Sequence, residues 1–304
     1  MNLEKKIYFI FNISLFILIC LTGLTSICYP QKTSPSRILS FDLESRSSQP
    51  GEAIFIRLEN VPSFRQAILR FQEKKIPLIN FGDDGKLITV IGLDMDLQPG
   101  TYSLRATLIL PDGSLLTEKK QIVVKEKSFP VKRLWVEEKF VTPPPEVRER
   151  IQREARILQG IFSLVSPEWY GEGRFLLPVN GEVNPNFGER RVYNNQPRSA
   201  HNGVDISSPS GTPIIASNSG KVVLASDLYF AGQTVIIDHG LGVFTFYCHL
   251  SEIAVKRGAL VKKGELIGKV GATGRVTGPH LHWSVRINDS RVDPLSLLSL
   301  NFPE

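Results

Sequence analysis

The chain has 304 residues, of which 42% are hydrophobic and 22% charged, with a formal net charge of +6. This length exceeds the ~100 to 150 residues of a usual domain, so we expect two folded domains of ordinary globular composition. The positive charge is modest and forms no block of like charge, so it does not indicate nucleic-acid binding.

The first 28 residues are typical of an export segment. Two lysines precede a largely apolar run from Ile7 to about Leu21, and small side chains stand before Tyr29, where a signal peptidase would cut. We expect residues 1–28 to be either a cleaved signal peptide or an uncleaved anchor that tethers the chain to a membrane. The protein is therefore expected in the periplasm or cell envelope. Cleavage leaves Cys248 as the only thiol, which excludes an internal disulfide.

Residues 36–127 show short runs of alternating polarity separated by turns. Ile54, Ile56 and Leu58 share one face of a predicted strand. A second predicted strand places four side chains on one face: Tyr102, Leu104, Ala106 and Leu108. The breaks QPGE, GDDGK, QPGT and PDGS have turn chemistry. The pattern predicts an antiparallel β-sandwich of immunoglobulin type. Because the segment contains no histidine, we expect no catalytic metal site there.

Residues 128–172 form a predicted linker with one amphipathic helix. In TPPPEVRERIQREARILQGIF, Thr142 is the expected N-cap and proline stands in the first turn. One stripe of the helix is apolar and consists of Val147, Ile151, Ala155, Leu158 and Phe162. Charge covers the opposite face, which favours a spacer that packs on a neighbouring domain over a membrane-binding or partner-binding helix.

Residues 173–304 return to strands and glycine turns and contain all five histidines. In the predicted strand HLHWSVRI, His280 and His282 share the polar face, while Leu281 and Trp283 occupy the other. Such a polar-face pair is not typical of core histidines.

The stretch GVFTFYCHL follows the same alternation. It places His249 with Thr245 and Tyr247 on an open face, and it places Cys248 in the apolar layer. A thiol in an apolar layer behaves as a small hydrophobe, so we do not expect Cys248 to bind metal.

His201 and Asp205 stand four residues apart in HNGVDIS. Gly203 and the following Pro209 disfavour a helix, but an extended strand also aligns the two side chains. Zinc accepts imidazole nitrogen and carboxylate oxygen, and catalytic zinc sites use three protein ligands. No His-Glu-x-x-His helix supplies a glutamate base, and a spare histidine, with a pKa of ~6.5, can transfer protons instead.

Three stretches in this order, HNGVDIS, YCHL and GATGRVTGPHLHW, resemble the lysostaphin-type, LytM-like zinc metallopeptidases that cut peptide bonds in bacterial peptidoglycan. The similarity extends from about Phe175 to Leu300. It implies an antiparallel LytM-like β-sheet domain in which Zn²⁺ is bound by His201, Asp205 and His282.

The resemblance also implies a catalytic pair, His249 and His280, which positions and deprotonates the water and stabilises the oxyanion. Tyr193 is a candidate for a further oxyanion donor, with a spacing to His201 that does not match the family clearly. His239 ends a predicted strand at a turn, and we interpret it as structural. Three arginines either contact acidic substrate groups or lie in a solvated loop: Arg190, Arg191 and Arg198.

The sequence therefore predicts an exported all-β protein with two domains. Its predicted function is that of a zinc-dependent endopeptidase that uses metal-activated water on peptidoglycan. The alternative is a catalytically silent LytM-like protein that controls other cell-wall hydrolases. The bond that is cut and the role of the front domain stay open at this stage.

Overall fold

The computed structural model describes residues 39–82, 85–135, 138–197 and 199–304. The predicted signal peptide or anchor, residues 1–28, and Arg198 lie outside the described residues. Within the described part of the chain, no helix is long and apolar enough to cross a membrane. The fold of this part is mostly β-sheet with few helices.

The front of the chain forms two four-stranded antiparallel sheets. One has the strand order β1-β2-β6-β5 and the other β4-β3-β7-β8. The strands are β1 (Ser40–Glu44), β2 (Ala53–Glu59), β3 (Gln66–Phe71), β4 (Lys74–Pro77), β5 (Ile79–Phe81), β6 (Lys86–Gly92), β7 (Gly100–Ile109) and β8 (Leu115–Val124). The side chains that alternation predicts to face inward are buried in one shared cluster, which includes Ile56 and Leu58 of β2 and Leu104 and Leu108 of β7. The two sheets therefore enclose a common core.

The first of these sheets is buried on both faces. Ala53, Phe55 and Val90 point away from the shared core and join a second cluster with the rear of the chain. The Phe55 and Phe302 rings lie 5.0 Å apart, and the Ala53 N–H donates to Ser296 Oγ at 2.6 Å. The near-continuous apolar run AIFI in β2 reflects this double burial. The front sheets are thus packed directly on the rear part of the chain, and residues 37–304 form one compact unit.

Ion pairs surround this packed surface. Arg291 bonds to Asp94 at 2.5 Å and to Asp96 at 2.6 Å. Arg46 bonds to Glu52 and to Asp293, each at 2.7 Å. The contacts of Arg291 with Asp94 and of Arg46 with Asp293 join positions 197 and 247 residues apart in sequence. A partly exposed ion pair stabilises a folded protein by only ~1 kcal/mol or less. These pairs therefore contribute mainly to the orientation of the two packed surfaces.

The linker contains β9 (Val131–Leu134), α1 (Glu138–Val141) and α2 (Pro145–Phe162). The predicted N-cap at Thr142 is wrong. The residue at the N-cap of α2 is Pro144, which makes no side-chain cap bond, while Thr142 closes α1 because its N–H and Oγ1 both donate to Glu138. Three consecutive prolines fix the backbone φ angles at the start of the helix, and they have no N–H groups that a side-chain cap would need to bind.

The predicted apolar stripe of α2 is buried only at its C-terminal end. Phe162 is buried against Phe244 and Phe246, with ring centroids 5.8 and 6.3 Å away, and Leu158 packs on the same cluster. Ala155, nearer the middle of the helix, is exposed. The helix therefore makes its apolar contact with the rear sheet at its C-terminal end, while Arg150 and Glu154 nearer its middle bond to Asp227 and to the Tyr229 N–H.

The rear of the chain is built on one large sheet with the path β10-β13-β20-β17-β16-β15-β18. Its elements are β10 (Glu182–Asn184), β11 (Arg190–Tyr193), β12 (Gln196–Pro197), β13 (Gly203–Ser207), β14 (Pro213–Ile215), β15 (Gly220–Leu228), β16 (Gly232–Asp238), β17 (Val243–Ile253), β18 (Leu260–Val261), β19 (Leu266–Val270), β20 (His280–Ile287), β21 (Ser290–Val292) and α3 (Pro294–Leu298). One face packs on the cluster around Trp283, and α2 covers part of the other. A separate small sheet joins β9, in parallel, to the β11–β12 hairpin.

Candidate metal centre

Asp205 and His282 face each other across two neighbouring strands. β13 and β20 are antiparallel, with Asp205 opposite His282 and Ser207 opposite His280. The residues on either side of these, including Ile206 and Leu281, are fully buried in the core on the other face of the sheet. Strand alternation therefore brings the carboxylate and the imidazole to the same face.

His201 reaches the same point from the segment that precedes β13. Its backbone is fixed by two hydrogen bonds, from its N–H to the Glu189 carbonyl and from the Gly188 N–H to its own carbonyl. His201 Nε2 lies 3.1 Å from Asp205 Oδ1 and 2.9 Å from His282 Nδ1, and the last two atoms are 2.9 Å apart. The structure thus brings the three predicted ligands together.

These three groups converge as acceptors. His201 Nδ1 lies 3.1 Å from the Asn186 carbonyl, which can only accept, so Nδ1 carries the hydrogen and Nε2 carries the lone pair. Burial would raise the pKa of Asp205, but its close contacts with the His201 and His282 rings outweigh burial and hold that pKa well below its ordinary value. Burial lowers the pKa of His282 to about 4. Near neutral pH Asp205 is therefore a carboxylate and the His282 ring is neutral.

Lone pairs this close together repel one another unless a cation lies between them. A tetrahedral zinc ion with arms of ~2.0–2.1 Å separates its ligand atoms by about 3.3 Å. The three separations here, from 2.9 to 3.1 Å, are close to that value. Two imidazole nitrogens and one carboxylate oxygen are also ligands that zinc favours. The residues present therefore fit a zinc ion.

The second oxygen of Asp205 is held by two side chains, which we call the carboxylate clamp: Asn186 and Arg191. Asn186 Nδ2 donates to Asp205 Oδ2 at 2.8 Å, and Arg191 Nη2 lies 3.4 Å from the same oxygen. Asn186 Oδ1 also accepts the Asp205 N–H at 3.2 Å. Oδ1 of the carboxylate is consequently the atom turned toward the histidines.

Asn186 was not among the predicted site residues, and Arg191 was predicted either to contact acidic substrate groups or to lie in a solvated loop. Asn186 follows β10, which pairs with β13, and its role depends on that pairing. Arg191 forms ion pairs with two carboxylates: its Nε lies 3.1 Å from Glu189 Oε1, and its Nη2 lies 3.4 Å from Asp205 Oδ2. Arg190 bonds to Asp96 at 2.6 Å, so it contacts the front domain.

His249 and His280 lie beside the three converging groups. Their ring centroids are 5.1 Å apart, and the His249 ring is 6.1 Å from that of His282. His280 Nε2 lies 3.7 Å from Asp205 Oδ1. Nδ1 of His249 donates to the Thr273 carbonyl and Nδ1 of His280 donates to the Gly278 carbonyl, both at 2.9 Å. In the neutral rings, Nε2 is therefore the acceptor.

The predicted grouping of His249 with Thr245 and Tyr247 on one face is wrong, although the His249 ring does lie near the centre. Thr245 and Tyr247, which alternation groups with His249, are fully buried on the core side of the sheet. His249 has a φ of 65°, in the left-handed region that L-residues rarely adopt. After Cys248, the partner of β17 changes from β20 to β19, and Leu250 joins the cluster of Tyr247. This irregularity returns the His249 ring to the side of His282.

The other singled-out residues have structural surroundings. His239 is fully buried and bonded through both nitrogens, to the Ser219 carbonyl at 2.8 Å and to Thr245 Oγ1 at 2.7 Å. Cys248 is buried in the apolar cluster under α2, and burial raises the pKa of its thiol. Tyr193 is buried and hydrogen-bonded to Arg191, which places it close to the clamp.

A family model described as Peptidase family M23 matches residues 199–294, a segment that includes all five histidines. A solved structure of a Pseudomonas aeruginosa protein of peptidase family M23 is 31% identical, with a TM-score of 0.64 over 83% of this chain and 96% of that one. The chain belongs to peptidase family M23. That likeness extends beyond the matched segment and takes in the front sheets as well, since it covers most of both proteins.

The curated relatives match only part of this chain. The peptidoglycan DD-endopeptidase ShyA of Vibrio cholerae is 40% identical over 131 residues, which are 43% of this chain and 30% of ShyA. The DD-carboxypeptidase/endopeptidase Mpg of Neisseria meningitidis is 45% identical over 104 residues, which are 34% of this chain and 24% of Mpg. The chain thus matches less than a third of the length of either relative.

Proposed function

We propose that this M23 protein is a zinc-dependent endopeptidase that hydrolyses peptide bonds in bacterial peptidoglycan. The observation that carries the proposal is the convergence of three lone-pair donors within 3.1 Å of one another, with two further imidazoles beside them. His201 Nε2, Asp205 Oδ1 and His282 Nδ1 would hold the zinc ion. When bound, zinc supplies Lewis acidity that polarises a carbonyl and lowers the pKa of water.

His280 and His249 divide the proton chemistry in this proposal. Each presents Nε2 as an acceptor, so each can take a hydrogen bond from the attacking water. Burial, together with His282, lowers the pKa of His249 to about 3, which disfavours its protonated form. The His280 side chain is 20% exposed, and its Nε2 lies 3.7 Å from Asp205 Oδ1. We therefore assign to His280 the proton taken from water and returned to the leaving amine, and to His249 the orientation of that water.

The substrate class rests on the curated relatives. ShyA is named a peptidoglycan DD-endopeptidase and Mpg a DD-carboxypeptidase/endopeptidase. Of the bonds that the sequence left open, the D,D-crosslink between stem peptides is the one these names support. A substrate in the wall also places the protein in the periplasm or cell envelope. A membrane tether would be provided by residues 1–28, outside the described part of the chain.

We further propose that the two front sheets form a sandwich of immunoglobulin type. The support is their shared core, with four antiparallel strands in each sheet. Its packing on the rear domain makes it a fixed part of the molecule that carries the site.

The test of the proposed function is the release of fragments from purified peptidoglycan sacculi, identified by mass spectrometry. Asp205→Ala should lose both zinc and activity, whereas His249→Ala should retain zinc and lose turnover. Arg257→Ala, at an exposed position of the rear domain, is the control and should behave as wild type. A zinc-loaded wild-type protein that releases nothing from any wall type would favour the silent regulator instead.

A further inference from the structure

The outer face of the sheet β4-β3-β7-β8 carries a row of positive charge. Lys75 lies opposite Arg70, Arg70 opposite Arg105, and Arg105 opposite Lys119. The four residues, here called the cation row, thus occupy adjacent positions on four consecutive strands. With strands ~4.8 Å apart, the row is about 14 Å long. Alternation keeps it on the outside, because Leu69, Ile76 and Leu104 face the core.

All four side chains of the cation row are exposed. No ion pair within the described residues joins any of them to an acidic group. The remaining side chains of this face within the four strands are neutral, and none of them is aromatic. They are Gln66, Ile68, Pro77, Thr101, Ser103, Thr107, Ile109, Leu115, Thr117, Gln121 and Val123.

Folding gives no reason for this arrangement. Like charges directly opposite each other destabilise an antiparallel pair, and the row contains three such pairs in succession. Some other basic side chains on the surface of these sheets are paired, as Arg57 is with Asp42 and Glu44. A binding partner with negative charge would turn the unfavourable row into a favourable contact.

The chemistry around the row favours one kind of polyanion. Ser103, Thr107, Thr117 and Gln121 place hydroxyl and amide groups beside the cations, which suits a polymer that carries both carboxylates and hydrogen-bonding groups. A face that inserts into a lipid surface typically presents tryptophan or phenylalanine, which this face lacks. We propose that the cation row binds carboxylate groups on the stem peptides of peptidoglycan. This inference rests on the proposed function.

The position of the row determines what it can hold. The sheet β1-β2-β6-β5 lies between the row's sheet and the rear domain, because its two faces contribute to the two different clusters. Packed sheets are ~10 Å apart, so the row faces away from the rear domain across two sheet layers. It therefore anchors a part of the wall other than the peptide at the metal centre.

The experiment measures binding of the full chain to purified sacculi by sedimentation. Each protein carries Asp205→Ala so that the wall is not digested, and circular dichroism checks its fold. The row variant is Arg70→Thr with Arg105→Thr. The control is Lys256→Ser with Arg257→Ser, two exposed basic residues of the rear domain. We expect the row variant to bind at least tenfold more weakly at low salt and the control to bind normally.

Three further measurements constrain the interpretation. Blocking the wall carboxylates by amidation should reduce binding of the parent protein to the level of the row variant. The melting temperature of the row variant should equal or exceed that of the parent, because like-charge pairs have been removed, so weak binding cannot be attributed to unfolding. Vesicles of phosphatidylglycerol test the lipid alternative.

Equal sedimentation of the row variant and the control would overturn the proposal. So would row-dependent binding to the vesicles without row-dependent binding to sacculi. Failure of the proposed function is recognised separately, by the absence of fragment release from wild-type protein loaded with zinc. If binding to sacculi depends on the cation row but no fragments are released, the protein binds the wall without hydrolysing it.

Discussion

The carboxylate clamp offers a direct test of how the metal centre is built. In Asn186→Ala, Asp205 loses the hydrogen bond from Nδ2 to its Oδ2 at 2.8 Å and the contact of its N–H with Oδ1 of the amide. Arg191, at 3.4 Å, then remains as the described partner of Oδ2. We expect Asp205 to rotate more freely and to present Oδ1 to the metal less often.

The size of the effect follows from the bond that is lost. A hydrogen bond to a charged group contributes ~1.5–3 kcal/mol, and loss of a group that orients a metal ligand typically weakens metal affinity by ~10–100-fold. The two ranges agree, since tenfold corresponds to about 1.4 kcal/mol. We therefore predict zinc binding about 10–100-fold weaker in Asn186→Ala, measured by competition with a chromogenic chelator at neutral pH.

Asn184→Ala provides the matched control. Asn184 lies two residues away on β10, and its Nδ2 donates to Ser207 Oγ at 3.1 Å. Its replacement should leave zinc affinity unchanged within about twofold, the ordinary result for a partly exposed surface change. Melting curves without metal should be similar for both variants. The clamp would be refuted if Asn186→Ala and Asn184→Ala bound zinc equally tightly.

Three further predictions concern packing, backbone space and pH. Phe162→Ala should lower the free energy of unfolding in urea by about 3 kcal/mol. The control Ile157→Ala, at an exposed position on the same helix, should change the free energy of unfolding by ~0.5 kcal/mol or less. Equal effects of the two substitutions would contradict the docking of α2. Gly203→Ala would push a Cβ into a backbone carbonyl of β20 and should weaken zinc binding at least tenfold, while Gly160→Ala, in open space, should not. Burial lowers the pKa of His239 from 6.5 to about 4. Between these two pH values the unfolded chain binds more protons than the folded chain, so the free energy of unfolding decreases as the pH is lowered. This group contributes about 3 kcal/mol to that decrease. Metal-free wild type should therefore lose more stability than His239→Gln between pH 6.5 and 4, and parallel curves would show that His239 does not contribute.

Much of the fold follows from short-range patterns in the sequence. Strict alternation placed Ile56 and Leu104 in the front core and His282 on the polar side of its strand, because a strand has a fixed period of two. The helical spacing of the apolar residues predicted α2, but the residue at its N-cap depended on where α1 ended. Local chemistry therefore predicted which elements form more reliably than where each begins.

The site itself required both kinds of information. The residue types and their order identified His201, Asp205 and His282 as candidates, since imidazole and carboxylate are zinc ligands wherever they stand. Their approach to within 3.1 Å depends on the register of β13 against β20, which brings together positions 77 residues apart. Register is set by the packing of a whole sheet, which a short stretch of sequence does not encode.

What the sequence by itself determined was the class of chemistry, the mostly β character of the chain and the faces of its regular strands. Only the tertiary structure decided the side on which His249 lies. The sequence continues a regular alternation through this position, but the left-handed backbone of His249 interrupts it and moves the ring to the other side of the sheet. It also decided the clamp on Asp205 and the alignment of the cation row, since both consist of residues from different strands. The physical reason is the same in each case: period and residue type act over a few positions, whereas contacts between strands are determined when the whole core packs.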